Sequence, residues 1–447
     1  MIISKINRNF EKILLLKKSD NLIYAISKLH STYRHVENKN YKFLKKIFLI
    51  FKYFLLLFDN KNILNSKKKK VDLMIVSNLI NLDLHKDYYF GNLEYILRKK
   101  KIKSIKIFRN LSNKKTSFFF KNDNSNLNLL SKRADIFREC MYIYYFLKEY
   151  FLFKTSGKYN LLKDNLRFFD FFSITRNLRI VDQINDCIGI FKPKCIIFTY
   201  EGHAWERLLI QKCKQNNVIA IAHQFSTVTQ NQIGIFRNLK NEYNPDCIAT
   251  SGTITKNLFL KEKLYSKIIH LGSCKFKINK RKNFKQNKIL IAFDSDFKRM
   301  QEMLELILNY ANKNINKFFI IRLHPSSAAN FLHINFIRKK IKNVPNIEIS
   351  NSTLEDNFKK CKFLVYRESS ICILGLHYNI TPIFFGNDKT LNCFDSKFPK
   401  QNIIKHHNEL DLILSKKYKN KKYFNNYKKN YFTKLKPNSL IRVINNA

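Results

Sequence analysis

Glycine and proline are scarce, at nine and seven in 447 residues. That excludes collagen-like and linker-like chains, which depend on both. Acidic residues are also few: 33 Asp and Glu stand against 83 Lys and Arg, for a formal net charge of +50. The nine cysteines (140, 187, 195, 213, 247, 274, 361, 372 and 393) are odd in number and scattered, with no CxxC or zinc-type spacing. Neither a disulfide framework nor a metal site is therefore expected. No long hydrophobic run occurs. The longest apolar stretch, Ile47 to Phe58, is interrupted by Lys52 and falls well short of the ~20 residues a membrane span needs. The opening Met1-Ile-Ile-Ser-Lys-Ile-Asn-Arg8 has no signal-peptide layout. These absences predict a reduced, cytoplasmic protein.

What is present points to a folded, two-domain chain. Apolar residues make up 45%, and 40 Phe and 22 Tyr supply ample core material, which excludes intrinsic disorder. The length suits two domains plus extensions. The charge must be discounted, because Lys, Asn, Ile, Phe and Tyr share A/T-rich codons and dominate here. It favours anionic partners such as phosphates, membrane surfaces or nucleic acid, without choosing among them. No nucleic-acid recognition motif or regular basic-aromatic platform is visible, so no nucleic acid is expected.

Residues 1–70 read as a basic, aromatic helical extension ending in the run Lys67 to Lys70. Within it, Tyr41 to Phe58 reads as a helix that either packs on the body or docks on an anionic membrane face. From Val71, short apolar runs alternate with helical patterns, which implies a parallel sheet covered on both faces. Expected strands include 71–77, 105–108, 195–199, 218–222, 247–250 and 268–271. Residues 277–287 read as a linker, and the pattern restarts at Lys288. The expectation is an N-terminal Rossmann-like domain over 71–276, a second over 288–415, and a basic tail or returning helix over 416–447.

Three polar clusters fall at the carboxyl ends of strands, where open α/β sheets bind ligands. The first is Tyr200-Glu201-Gly202-His203. Glu201 suits a general base, or else an acidic residue favouring a helix N-terminus, and Gly202 permits a tight turn. The second is Arg322-Leu323-His324-Pro325, with two phosphate-compatible donors and a proline fixing the turn. The third is Arg367-Glu368-Ser369-Ser370, which reads either as an anion site or as simple capping of a helix by Ser369. His223-Gln224 follows a strand and is expected to line the acceptor side. Asp294-Ser295-Asp296 has the form of a DxD metal motif, with Asp296 equally suited to cap a helix. No GxGxxG or Walker A element occurs.

With these clusters the chain resembles a GT-B glycosyltransferase of bacterial surface-carbohydrate assembly, and more narrowly bacterial sialyltransferases and Kdo transferases. Those share an acidic-acidic-Gly motif, an HP motif and a Ser/Thr pair. The resemblance spans roughly residues 195 to 386. It implies two Rossmann-like domains facing a cleft, with Glu201 as base and Tyr200, Gly202, His203 and His223 on the acceptor side. His324, Pro325, Ser369 and Ser370, with Arg322 and Arg367, would hold the nucleotide phosphate of a donor. One position departs from the pattern: Tyr200 stands where the first acidic residue is found. The resemblance further implies metal-independent, inverting transfer with no cofactor. The donor would be a nucleotide sugar, CMP-linked, and the acceptor a glycan or lipid-linked one in capsule or lipopolysaccharide synthesis. The enzyme would be cytoplasmic or peripheral on the inner face of the membrane. Enzymes moving CDP-linked glycerol phosphate also use His-Pro elements, so a polyol phosphate transferase stays open. So does a non-catalytic protein binding nucleic acid or membrane through its charge.

Overall fold

In a computed structural model of the chain, residues 63–64 and 70–447 are described, apart from 80–86, 112–127, 131–132, 134, 156–170, 229–233, 240, 277–287, 295, 329, 387–391, 396 and 416–420. The expected helix 41–58 and linker 277–287 lie outside the described residues. The chain forms two compact units. Unit 1 spans the chain up to Phe225, Asn231–Lys275 and Thr433–Ala447; unit 2 takes Ser226–Gln230 and Phe276–Phe432.

Unit 1 is built on one sheet. Its strands are β1 (Ile63–Leu64), β2 (Leu73–Leu79), β3 (Ser104–Asn110), β4 (Asn128–Leu130), β5 (Cys195–Thr199), β6 (Ile219–Gln224), β7 (Cys247–Thr250) and β8 (Lys267–His270). Their order is β1-β4-β3-β2-β5-β6-β7-β8, and every pairing is parallel except β1 with β4. Parallel strands buried on both faces read as continuous apolar runs, as in Leu73-Met-Ile-Val76 and Cys195-Ile-Ile-Phe198. Successive residues then serve opposite faces. Ile197 joins a core containing Leu93, Leu440 and Ile444. Phe198 instead meets the ring of Trp205, 6.2 Å away.

Two strands run further than their apolar cores suggest. β3 extends through Arg109 and Asn110, which pair with Asn78 and Leu79 of β2. β6 extends through His223 and Gln224, because His223 pairs with Thr199 and its carbonyl accepts from Tyr200 N–H at 2.8 Å. His223 therefore lies within the sheet and not beyond its end.

Unit 2 has six parallel strands, β9 (Lys288–Ala292), β10 (Phe319–Arg322), β11 (Ile347–Ile349), β12 (Cys361–Tyr366), β13 (Thr381–Phe385) and β14 (Ile403–Ile404). Their order is β11-β10-β9-β12-β13-β14. Helix Phe297–Ala311 buries Met300, Met303, Leu304 and Ile307 against this sheet, following its 3/4 spacing of apolar residues. Cys361 directly follows helix Leu354–Lys360 and opens β12 with extended backbone. Residues 421–430 form a helix that belongs to unit 2, and helix Asn438–Asn445 lies in unit 1.

Candidate functional site

Both sheets reverse their winding once, and the chemistry-bearing loops gather at those points. In unit 1 the reversal falls between β2 and β5, in unit 2 between β9 and β12. Such switch points leave a crevice outside the carboxyl edge of a sheet.

In unit 1, β5 ends at Thr199 and helix Ala204–Gln215 begins five residues later. Gly202 makes that turn at φ +79°, and a Cβ on it would sit 2.1 Å from the carbonyl carbon of Gly234. Only glycine fits. Arg207 fixes the opposing loop by donating to the carbonyls of Gly234 (2.7 Å), Arg237 (3.0 Å) and Tyr243 (3.0 Å). Glu206 closes the turn from the other side. Its Oε2 accepts from the backbone N–H of Glu201 at 2.9 Å and of His203 at 2.7 Å, which satisfies donors a helix start leaves orphaned.

These supports leave Glu201 and His203 partly open, with side chains 26% and 32% exposed and Oε2 2.9 Å from the His203 Nε2. Burial works against a charged His203. The hydrogen bond to Glu201 and the Glu206 and Glu201 carboxylates outweigh it, and its pKa lies above the ordinary value. Glu206 is sealed, and burial pushes its pKa up to about 7. Of the two carboxylates, Glu206 is enclosed within the turn and Glu201 faces outward beside His203.

Two residues expected on the acceptor side are not there. Tyr200 is fully buried, with its ring against the Arg207 guanidinium and its hydroxyl lacking a hydrogen-bond partner. His223 is 1% exposed; its Nε2 lies 3.2 Å from the Gly272 carbonyl, and burial pulls its pKa down to about 4. Both belong to the interior because each continues a doubly covered strand. Gly202 is buried too and acts through the turn alone.

Four residues with no sequence motif surround the Glu201 turn. Tyr89 has a hydroxyl that burial pushes up to about 12 and that feels the charges of Glu201 and Arg109. Asn78 donates to Thr199 Oγ1 at 3.3 Å. Arg109 lies 3.8 Å over the Trp205 ring. Lys275 donates to the Phe225 carbonyl at 3.0 Å, and burial lowers its pKa. For Asn78 and Arg109 the signal is the register between β2 and β3, which sequence spacing does not carry.

In unit 2, Ala292, Arg322 and Tyr366 stand in one row across β9, β10 and β12. The His324 and Ser369-Ser370 loops therefore leave strands that flank β9 on either side, about 10 Å apart at the usual strand spacing. His324 is exposed, though the desolvation it does suffer lowers its pKa. Its carbonyl accepts from Ser327 and Ala328 N–H in the short helix Pro325–Ala328. Arg322 donates to the Ser352 carbonyl at 2.9 Å. Arg367 pairs with Glu302 and lies against the Phe385 ring.

The capping expected of Ser369 does not occur. Ser370 occupies the N-cap of helix Ile371–His377, in helical conformation and without a side-chain capping bond. The preceding Glu368 adopts φ +54°, a conformation that costs a non-glycine residue of order 1 kcal/mol or more. Arg299 holds it there at 2.6 Å and also meets Asp294 at 3.4 Å. Asp296 accepts from Arg299 N–H at 3.0 Å as a helix cap. The DxD-like triplet thus spends its described carboxylates on a cap and an ion pair.

No family model matches the chain, and no curated protein matches it in sequence. Solved structures match it in fold. S. aureus MnaA, determined with UDP, aligns with a TM-score of 0.50 at 10% identity, over 82% of this chain and 93% of that one. A UDP-GlcNAc 2-epimerase from Neisseria meningitidis bound to UDP-GlcNAc aligns with 0.46 at 13% identity, over 84% and 98%. A glycosyltransferase from Rickettsia africae ESF-5 gives 0.39 at 10%, over 71% and 79%. At these identities the likeness is one of fold: two doubly wound α/β units of the GT-B kind.

Proposed function

We propose that the protein is a glycosyltransferase of surface-polysaccharide synthesis, resembling sialyltransferase and Kdo-transferase types. It moves a sugar from a CMP-linked donor with inversion and without a metal. The observation that carries the reading is the partly open Glu201–His203 pair at the switch point of unit 1. A positioned carboxylate at hydrogen-bond reach of a substrate hydroxyl is what a general base requires. Glu201 accepts the acceptor hydroxyl proton as the oxygen bonds to the anomeric carbon and the bond to the nucleotide phosphate breaks. His203 orients the carboxylate through Nε2. In unit 2, His324 with the Ser369 and Ser370 hydroxyls meets the charge growing on the leaving phosphate. Arg322 and Arg367 keep their protein partners and shape this edge.

A uridine nucleotide is the second reading for the donor, supported by the UDP found with the S. aureus protein of similar fold. Calorimetric titration with CMP, CDP, UDP and GDP separates the two, and CMP is expected to bind best. His324→Ala and the double change Ser369→Ala, Ser370→Ala should each weaken the preferred nucleotide roughly tenfold or more, since a hydrogen bond to a charged group contributes about 1.5–3 kcal/mol. Unchanged binding in both variants removes the donor site and the reading with it.

A further inference from the structure

Arg109 sits on β3, one residue before its carboxyl end, with only 8% of its surface exposed. Its Nε and Nη1 are buried without a hydrogen-bond partner. Asn78, its register neighbour on β2, shares the same sheet face, and Asn78 Oδ1 is buried and unpartnered as well. A folded chain seldom leaves a guanidinium so, because the desolvation of the cation is then uncompensated. The buried carboxylate close by, Glu206, already gives Oε2 to two backbone amides. Burial pulls the Arg109 pKa down to about 10, against the attraction of Glu206 and with repulsion from Arg176. The Trp205 ring fixes the plane of the guanidinium from 3.8 Å, and an arginine so held presents a rigid fork suited to carboxylate or phosphate. All of this lies beside β5, whose end carries Glu201.

We propose that Arg109 binds a carboxylate or phosphate on the acceptor sugar and that Asn78 Oδ1 accepts from one of that sugar's hydroxyls. The acceptor is therefore an anionic glycan. This rests on the reading of unit 1 as the acceptor side.

The protein carries its own reporter, because its single tryptophan is the one stacked on Arg109. Fluorescence titration of the full chain with glucose, glucuronic acid and glucose 6-phosphate compares one sugar frame in neutral, carboxylated and phosphorylated form. At least one charged form should change Trp205 emission with an affinity roughly tenfold or more above that of glucose. Which one does so identifies the anion. Arg109→Gln should erase that preference to within about twofold, Arg109→Lys should keep part of it, and Asn78→Ala should weaken the favoured sugar. Equal response to the three sugars, or a charge preference that survives Arg109→Gln, overturns the proposal. Should Arg109→Gln fail to fold, the wild-type preference and the Arg109→Lys variant still decide it. Nucleotide titration of the same proteins keeps the two ideas apart. Loss of all nucleotide binding in the wild type removes the glycosyltransferase reading, whereas intact nucleotide binding without a charge preference removes only the anionic acceptor.

Discussion

Glu201 and Glu206 stand five residues apart and take opposite roles because one is open and the other sealed. Glu201→Gln keeps the shape and removes the base, so turnover should fall about 10²–10⁴-fold while nucleotide affinity stays within a few-fold. Near-normal turnover in the purified variant would refute its assignment. Glu206 and His223 make a second, independent test through pH. The Glu206 pKa is raised from 4.5 to about 7, so its contribution to stability is complete below pH 4.5 and is lost as pH rises to 7. The His223 pKa is lowered from 6.5 to about 4, so its contribution is complete above pH 6.5 and is lost as pH falls to 4. Each amounts to about 3 kcal/mol at 1.36 kcal/mol per unit, and the two slopes oppose each other between pH 4.5 and 6.5. Removing either should unmask the other. In urea unfolding, Glu206→Gln should give a stability that climbs with pH over that window, and His223→Gln one that declines. Identical profiles in both variants would show that these two burials do not set the titration.

The turn between β5 and its helix is the element that presents the base, and Gly202 sets its geometry. A Cβ there meets the Gly234 backbone, whose carbonyl Arg207 holds at 2.7 Å while its other bonds fix Arg237, Tyr243 and Asn244. Gly202→Ala should therefore cost on the order of 3 kcal/mol or more, from positive φ and overlap together. A loss below ~1 kcal/mol in denaturant titration would mean that the loop yields. Much of this turn was legible in the sequence: a strand, then an acidic residue, a glycine and an amphipathic helix. The alternation of apolar runs with helical patterns likewise revealed both sheets. Tyr200 and His223 were misjudged because a parallel strand buried on both faces carries no period-2 signal to show where covering ends. Glu206 carries no motif of its own, and its inward cap on the turn shows only in the folded structure. Arg109 and Asn78 are 31 residues apart, and their meeting depends on register between strands. Glu368 gave no warning of its left-handed backbone, since its partner Arg299 comes from the first turn of a helix 69 residues earlier in the chain.

At the scale of the whole chain, charge and the C-terminal segment have separate consequences. With a net charge of +50, binding to anionic liposomes should weaken as salt is raised. Deleting residues 1–66 should reduce it; equal sedimentation of the truncated chain would place the anchor elsewhere. Among the described residues no helix is long and apolar enough to cross a membrane. The C-terminal segment from Thr433 is part of unit 1. Thr433 N–H donates to the Ser251 carbonyl at 3.0 Å, its carbonyl accepts from Ser273 N–H at 2.8 Å, and Lys436 N–H donates to the Leu271 carbonyl at 2.8 Å. Gly272, at φ +86°, lets the Lys434 backbone approach to where a Cβ would lie 2.3 Å from its carbonyl oxygen. Helix Asn438–Asn445 then adds Leu440, Val443 and Ile444 to the core with Ile75 and Ile197. Burying three such side chains contributes on the order of 5 kcal/mol, comparable with the whole net stability of a typical domain. Ending the chain after Phe432 should therefore unfold unit 1 and leave unit 2 intact. Trp205 reports on unit 1 alone, because unit 2 contains no tryptophan. Its emission should shift to that of an exposed indole, while nucleotide titration, which the proposed donor site assigns to unit 2, stays within a few-fold of the full chain. A buried Trp205 in the truncated protein would show that the eight strands of unit 1 hold their core without the last helix.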